Sequence, residues 1–214
     1  MKKSVVVFGL GKFGMRVATK LYDQGIDVMA VDKNYDLVQD AADSVTVASQ
    51  ADFLDDEAIK ELGLSNFDIA VVATGESLEA SIVATLAAKD AGIEEVIVKS
   101  NSPKKGRVLK KLGADRIIYP ELDMGDRLAR SISRSNLLEF IHFSQEYGIM
   151  EVRAKESWIG KTIREMDFRN TYQMNIIAIN RQGDYIVSPK AEDVIEKDDV
   201  LILIGKEEDA NNLE

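Results

Sequence analysis

Between residues 3 and 119 six short apolar runs alternate with helical patterns, with only brief connections. Few folds accept such a rhythm. Strand–helix repeats with short links build a parallel sheet covered by helices on both faces, and an eight-unit barrel needs more than 214 residues. The apolar runs expected as strands are 3–8, 27–32, 44–48, 68–73, 96–98 and 116–119. The segments expected as helices are 12–24, 35–42, 55–62, 78–90 and 104–112, with Gly25, Gly63, Gly92 and Gly113 placed as stops. DIAVVA at 68–73 is almost wholly apolar, as a strand buried on both faces must be.

The first strand runs directly into Gly9-Leu10-Gly11-Lys12-Phe13-Gly14, which opens the first helix. In that position each glycine has a task. Gly9 permits a tight turn, Gly11 lets the backbone approach a phosphate, and Gly14 lets the helix lie close to the strand. The free amides and dipole of a helix start favour an anion. Asp32 ends the second strand 21 residues after Gly11, the separation expected for a carboxylate that accepts from ribose hydroxyls. An anion there also disfavours a 2′-phosphate, an argument that Lys33 softens. Lys12 opposes the helix dipole, so it reads either as a phosphate partner or as a solvated lysine. Further candidate contacts are Phe13, Asp52 and Phe53 after strand three, Ala73-Thr74-Gly75 after strand four, and Lys99 at the end of strand five.

Composition removes several kinds of chemistry. Without cysteine there is no thiolate nucleophile, disulfide or cysteine-held metal, and a reducing compartment fits. His142 is the one histidine, which rules out a multi-histidine site in one chain. A net charge of −10 argues against nucleic acid as a partner. The opening MKKSVVVFGLGKFG breaks too early to be a signal peptide, and no stretch has the roughly 18 apolar residues of a spanning helix, so the cytoplasm is expected. Asp55, Asp56 and Glu57 read as helix capping, KKGRVLKK at 104–111 as a wet helix face, and His142 and Trp158 as packing residues.

After Pro120 the pattern changes. Residues 121–134 read as one helix and 137–143 as a second apolar helix. Strand-like runs follow at 149–153, 176–180, 185–187 and 200–204, with Arg181-Gln182-Gly183-Asp184 as a hairpin turn. The fold class is therefore α/β: a Rossmann-like doubly wound parallel sheet followed by a small α+β module. The expected domains are 1–134, with a crossover helix, and 135–214.

Longer stretches resemble a known family. They are VVVFGLGKFG at 5–14, AVD at 30–32, ADFLDDEAIKELG at 51–63, NFDIAVVATGE at 66–76, EASI at 79–82 and LGADRIIYPELDMG at 112–125. In the second module, DFRNTY at 167–172, IIAI at 176–179 and VSP at 187–189 join them. On these residues the chain resembles the RCK proteins, also called KTN or TrkA-type: cytosolic regulatory subunits of Ktr/Trk potassium uptake systems.

The resemblance implies a non-enzymatic protein that binds ATP, ADP or NAD(H) as a signal. It implies homodimers assembled into an octameric ring beneath an integral-membrane potassium transporter, at the inner face of the cell membrane. Gly9, Gly11 and Gly14 carry over to the phosphate loop, Asp32 to the ribose and Asp52 to the base. Lys12 stands where the family often has arginine, and Ala51 where it usually has glycine. Glu121 carries over to a carboxylate near the phosphates, where a divalent cation would bridge. Arg169, Asn175, Ile176 and Pro189 fall near positions that line a cyclic di-AMP cleft in Gram-positive members, although interface packing explains Ile176 and Pro189 as well. The competing expectation is an NAD-dependent oxidoreductase, which would need an acid–base pair that residues 147–214, with no histidine or cysteine, do not offer.

Overall fold

The computed structural model describes residues 3–74, 77–133, 137–142, 144, 146–206 and 208–213. The chain divides into two compact units, Met1–Leu122 and Asp123–Glu214.

The first unit holds six strands: β1 (Ser4–Phe8), β2 (Asp27–Asp32), β3 (Val47–Gln50), β4 (Ile69–Val72), β5 (Glu95–Lys99) and β6 (Arg116–Ile118). They form one sheet in the order β3-β2-β1-β4-β5-β6, and every pairing is parallel. Helices α1 (Lys12–Asp23), α2 (Tyr35–Ala41), α3 (Asp56–Glu61), α4 (Leu78–Asp90) and α5 (Pro103–Lys111) connect them. Alternate residues of β1 face opposite sides. Val5 and Val7 pack with Val28, Ala30, Val38 and Ala18, whereas Val6 and Phe8 pack with Val72, Val98, Ala84 and Ala88. Both faces are therefore covered, as the run of apolar residues in β4 requires.

Strand three begins later than its sequence suggests. Residues Ala42–Ser44 form a short 3-10 turn, and β3 starts at Val47 beside Met29. The expected N-cap at Asp55 is present, with Oδ1 accepting from the amides of Glu57 and Ala58.

The second unit begins within α6 (Pro120–Ser133), which matches the expected helix to one residue at either end. Its sheet contains β7 (Leu137–His142), β8 (Tyr147–Arg153), β9 (Asn175–Arg181), β10 (Asp184–Val187) and β11 (Val200–Lys206) in the antiparallel order β10-β9-β11-β8-β7. Helices α7 (Ile163–Met166) and α8 (Phe168–Tyr172) complete it. Trp158 is buried in the core with Phe168 and Met166, and its Nε1 donates to the Tyr172 hydroxyl at 3.1 Å. The predicted hairpin is present: Asp184 pairs with Arg181, and Gln182 and Gly183 take positive φ of 54° and 100°, the geometry of the two-residue turn that matches strand twist.

The expected helix over 137–143 is a strand. LLEFIH pairs antiparallel with β8, placing Phe140 opposite Met150 and His142 opposite Gly148. An apolar run this short satisfies both periods, so the partner strand settled its conformation. Among the described residues no helix is long and apolar enough to cross a membrane.

Candidate functional site

In an open α/β sheet the ligand crevice opens beyond the strand ends where the strand order reverses. Here that point lies between β1 and β4, and both strands end in candidate residues, Gly9 after the first and Ala73 after the second.

The glycine loop is built around close contacts. Gly9 has φ of +91°, and its amide donates to the Val31 carbonyl at 2.8 Å. A Cβ on Gly14 would stand 1.8 Å from the Gly9 carbonyl oxygen and 3.1 Å from the Ala73 Cβ, so only glycine lets α1 begin there. Gly11 differs. Its φ of −61° suits any residue, and a Cβ would meet nothing within 4 Å. The protein itself does not require glycine at this position, whereas a ligand approaching the backbone would.

The start of α1 is bare. Gly11 is its N-cap and provides no side-chain hydrogen bond, and no acid stands in the first turn. The other helices of the sheet are capped: α2 by Asn34, α3 by Asp55, α4 by Ser77 and α5 by Ser102. Free amides are costly to leave without acceptors, so a helix start spared its cap is a ready anion site. Lys12 lies exposed beside these amides with no partner among the described residues.

Asp32 ties the loop down before any ligand arrives. Its Oδ2 accepts from the Leu10 amide at 2.6 Å and its Oδ1 from the Asn34 amide at 2.9 Å. Each oxygen keeps lone pairs for ribose hydroxyls. Lys33 is exposed, and its carbonyl accepts from Gln50. Asp52 is exposed and accepts from the Leu54 amide, whereas the Phe53 ring is buried edge-on against Phe8 at 5.5 Å. Phe53 therefore serves the core, and Asp52 is the side chain that this turn offers to a ligand. The Thr74 hydroxyl lies 2.9 Å from the Ser81 hydroxyl, which fixes the turn after β4. Gly75 lies outside the described residues.

Lys99 leaves the end of β5 and reaches α1. Its Nζ sits 5.7 Å from the Phe13 ring centroid and 2.6 Å from Glu121 Oε1. The Lys99 hydrogen bond, with a smaller direct attraction from its charge, holds the Glu121 carboxyl below the usual range. This cluster was not visible in the sequence, although each member was. The signal that would have exposed it is the sheet order, which sets β6, and hence Glu121, beside β5. Among the described residues no three His, Cys, Asp or Glu side chains gather as a metal site. Glu121 belongs to no such group among the described residues, so a cation there would need further ligands, such as phosphate oxygens. A groove of about 660 Å3 between Ile59, Leu64, Val83 and Leu86 lies elsewhere on the first unit, and no candidate residue lines it.

In the second unit, Arg169 Nε donates to Asn175 Oδ1 at 2.8 Å. Ile176 follows Asn175 in β9, and the Ser188 amide donates to the Ile177 carbonyl, which places Pro189 at the same end of the β9–β10 hairpin. The fold thus joins Arg169 to Asn175 and sets Pro189 at the same end of the hairpin, while Ile176 packs partly buried against the core of this unit.

Comparison with known proteins gives the same two-part order. The TrkA-N domain matches residues 5–120 and the TrkA-C domain residues 149–214. Ktr system potassium uptake protein C of Bacillus subtilis (strain 168) is 40% identical over 214 residues, covering 100% of this chain and 97% of that protein. Ktr system potassium uptake protein A of the same organism is 37% identical over 212 residues, covering 99% and 96%. Among solved structures, the crystal structure of the GsuK RCK domain aligns with a TM-score of 0.66 at 18% identity, over 100% of this chain and 47% of that one. That likeness is one of fold, and this chain spans about half of that structure's length. The order of the two domains and the sequence identity over nearly the whole chain are thus shared with these relatives: the chain belongs to the TrkA-N/TrkA-C family of the Ktr system potassium uptake proteins.

Proposed function

We propose that this protein is a nucleotide-sensing regulatory subunit of a Ktr-type potassium uptake system. It works in the cytoplasm at the inner face of the membrane, where it holds an integral-membrane transporter subunit as its partner. Residues 1–134 form the nucleotide-binding domain and residues 135–214 the regulatory domain. The observation that carries the reading is the bare start of α1, the only one of α1–α5 without a side-chain cap, beside a Gly11 whose missing side chain the protein does not need.

In this reading the amides of the loop take the phosphates of ATP, ADP or NAD(H). Asp32 takes the ribose and Asp52 the base edge, while Lys12 and Lys99 supply cations to the phosphate chain. Glu121 would help hold a divalent cation bridging the phosphates. The nucleotide is a signal and not a substrate. It shifts an equilibrium between two shapes of a homodimer-based octameric ring, by as much as its affinities for the two shapes differ. Arg169, Asn175, Ile176 and Pro189 form a second candidate site, for cyclic di-AMP, where the guanidinium would meet a phosphate and the apolar pair a base.

Calorimetry on the purified protein tests this. ATP and ADP bind, and the protein elutes far larger than a monomer. Asp32→Ala weakens both nucleotides at least about tenfold, because it removes charge-assisted bonds and frees the Leu10 amide from its anchor. Lys12→Ala weakens ATP more than ADP. Monomeric elution with no nucleotide-dependent gain in thermal stability would sink the proposal, and steady oxidation of NADH by a carbonyl compound would favour the oxidoreductase alternative.

A further inference from the structure

Lys99 is held in an unequal ion pair. Its side chain is 16% exposed, and the Phe13 ring lies beside its ammonium. Phe13 is the second residue of α1, the helix whose first amides are uncapped, so the cation is kept on the side of the sheet where that helix starts. Glu121 is 60% exposed and stands in the first turn of α6, the helix in which the chain passes from one compact unit to the other. The lysine is thus fixed by its surroundings, while the glutamate can turn into solvent at little cost. With one partner this exposed the pair is readily broken, and a phosphate oxygen offers the same ammonium a stronger, charge-assisted partner.

We infer that the Lys99–Glu121 pair is an internal placeholder for the ligand: Glu121 neutralises Lys99 while the loop is empty, and a phosphate of an incoming nucleoside di- or triphosphate replaces it, releasing the first turn of α6. The inference rests on the nucleotide reading of the loop. It adds a specificity rule and a route outward. A ligand releases Glu121 only if it carries a phosphate that reaches Lys99, so adenosine does not. Release acts at the start of the one helix through which both units are covalently joined.

The test is titration calorimetry of the full-length protein with ADP, ATP and adenosine in the presence of a chelator, so that no divalent cation recruits Glu121. Glu121→Gln removes the competitor without changing shape. It tightens ADP and ATP about two- to fivefold and leaves adenosine unchanged. Lys99→Gln weakens ADP and ATP, Lys99→Arg largely restores them, and adding Glu121→Gln to Lys99→Gln gives no gain. The inference is overturned if Glu121→Gln leaves ADP and ATP binding unchanged or weaker in chelator. An equal gain for adenosine overturns it as well, since that marks a general loosening. If the wild type binds neither nucleotide, the sensing reading falls together with it; if the wild type binds and Glu121→Gln binds identically, the placeholder alone falls.

Discussion

Gly14→Ala unfolds the nucleotide loop, and Gly11→Ala leaves the fold intact while removing the ligand. The two substitutions add the same methyl group three residues apart, and their surroundings make the outcomes opposite. At Gly14 the new carbon would lie 1.8 Å from a backbone oxygen and 3.1 Å from Ala73, and neither neighbour is a flexible side-chain tip. Either α1 shifts away from β1 or the Gly9 turn opens. Overpacking of this severity costs about 1–3 kcal/mol, and a clash with backbone belongs at the upper end. For a domain of this size that is a fall of about 5–15 °C in thermal midpoint, read by far-UV circular dichroism, with nucleotide binding lost. At Gly11 the methyl enters open space with an ordinary φ of −61°, so stability changes by less than about 1 kcal/mol. The same space is where a phosphate must approach, and binding of ADP falls by at least about tenfold. A Gly14→Ala protein with the wild-type midpoint would contradict the close packing of α1 on β1. Unchanged ADP affinity in Gly11→Ala would remove the phosphate from this loop.

Arg181→Gln destabilises the second unit by about 2–4 kcal/mol. Asp199 has no solvent exposure, and both of its oxygens are held by the Arg181 guanidinium at 2.9 Å. The Asp199 Oδ2 also accepts from the Glu196 amide, and Arg181 bonds the Val194 carbonyl and Glu196 as well. One side chain thus ties β9 to the turn that leads into β11. Asp199, with smaller help from the charge of Glu196, raises the Arg181 pKa above its ordinary value. Removing the arginine strands a buried carboxylate. The arginine is 29% exposed, which keeps the cost below that of a fully buried pair. The double substitution Arg181→Met with Asp199→Leu recovers much of the loss, because the penalty lies in the unpaired charge and not in the missing attraction. Trp158, the single tryptophan of the chain, is buried in this core, so its fluorescence in a denaturant titration reports the second unit selectively. Equal stability of Arg181→Gln and wild type would mean that the pair contributes nothing.

The first unit was largely legible because its sequence is locally consistent. Each strand is a short apolar run, each helix is periodic, and glycines or capping residues mark most boundaries, so propensity, pattern and punctuation agree. Strand three was the exception, misplaced by about three residues because Thr46 and Val47 continue the β-branched pattern of a segment whose first residues, Ala42–Ser44, turn instead. In the second unit the sequence predicts a helix over 137–143, and the fold has a strand over Leu137–His142. Its six residues hold too little periodicity to choose, and the ladder to β8 chose for them.

The candidate site divides along the same line. Gly9, Gly11, Gly14 and Asp32 stand at fixed offsets from one strand and one helix, and offsets of that kind are written into the chain itself. Which of the glycines the fold needs, and which it leaves open, is a matter of contacts with Ala73 and the Gly9 carbonyl, from strands far apart in sequence. Phe53 counted as a ligand contact in the sequence and is a core residue in the fold, since a ring beside an exposed aspartate can turn either way until Phe8 receives it. Lys99 and Glu121 were separate candidates, 22 residues apart. They became one ion pair only when β5 and β6 paired and carried both to the same edge of the sheet. By itself, the sequence determined the parallel sheet, the loop and the acid at its rim, because local periodicity and backbone freedom are properties of neighbouring residues. Only the tertiary structure decided which glycine the fold can spare and which cation already holds a partner, because those depend on groups that only folding brings within a few ångströms.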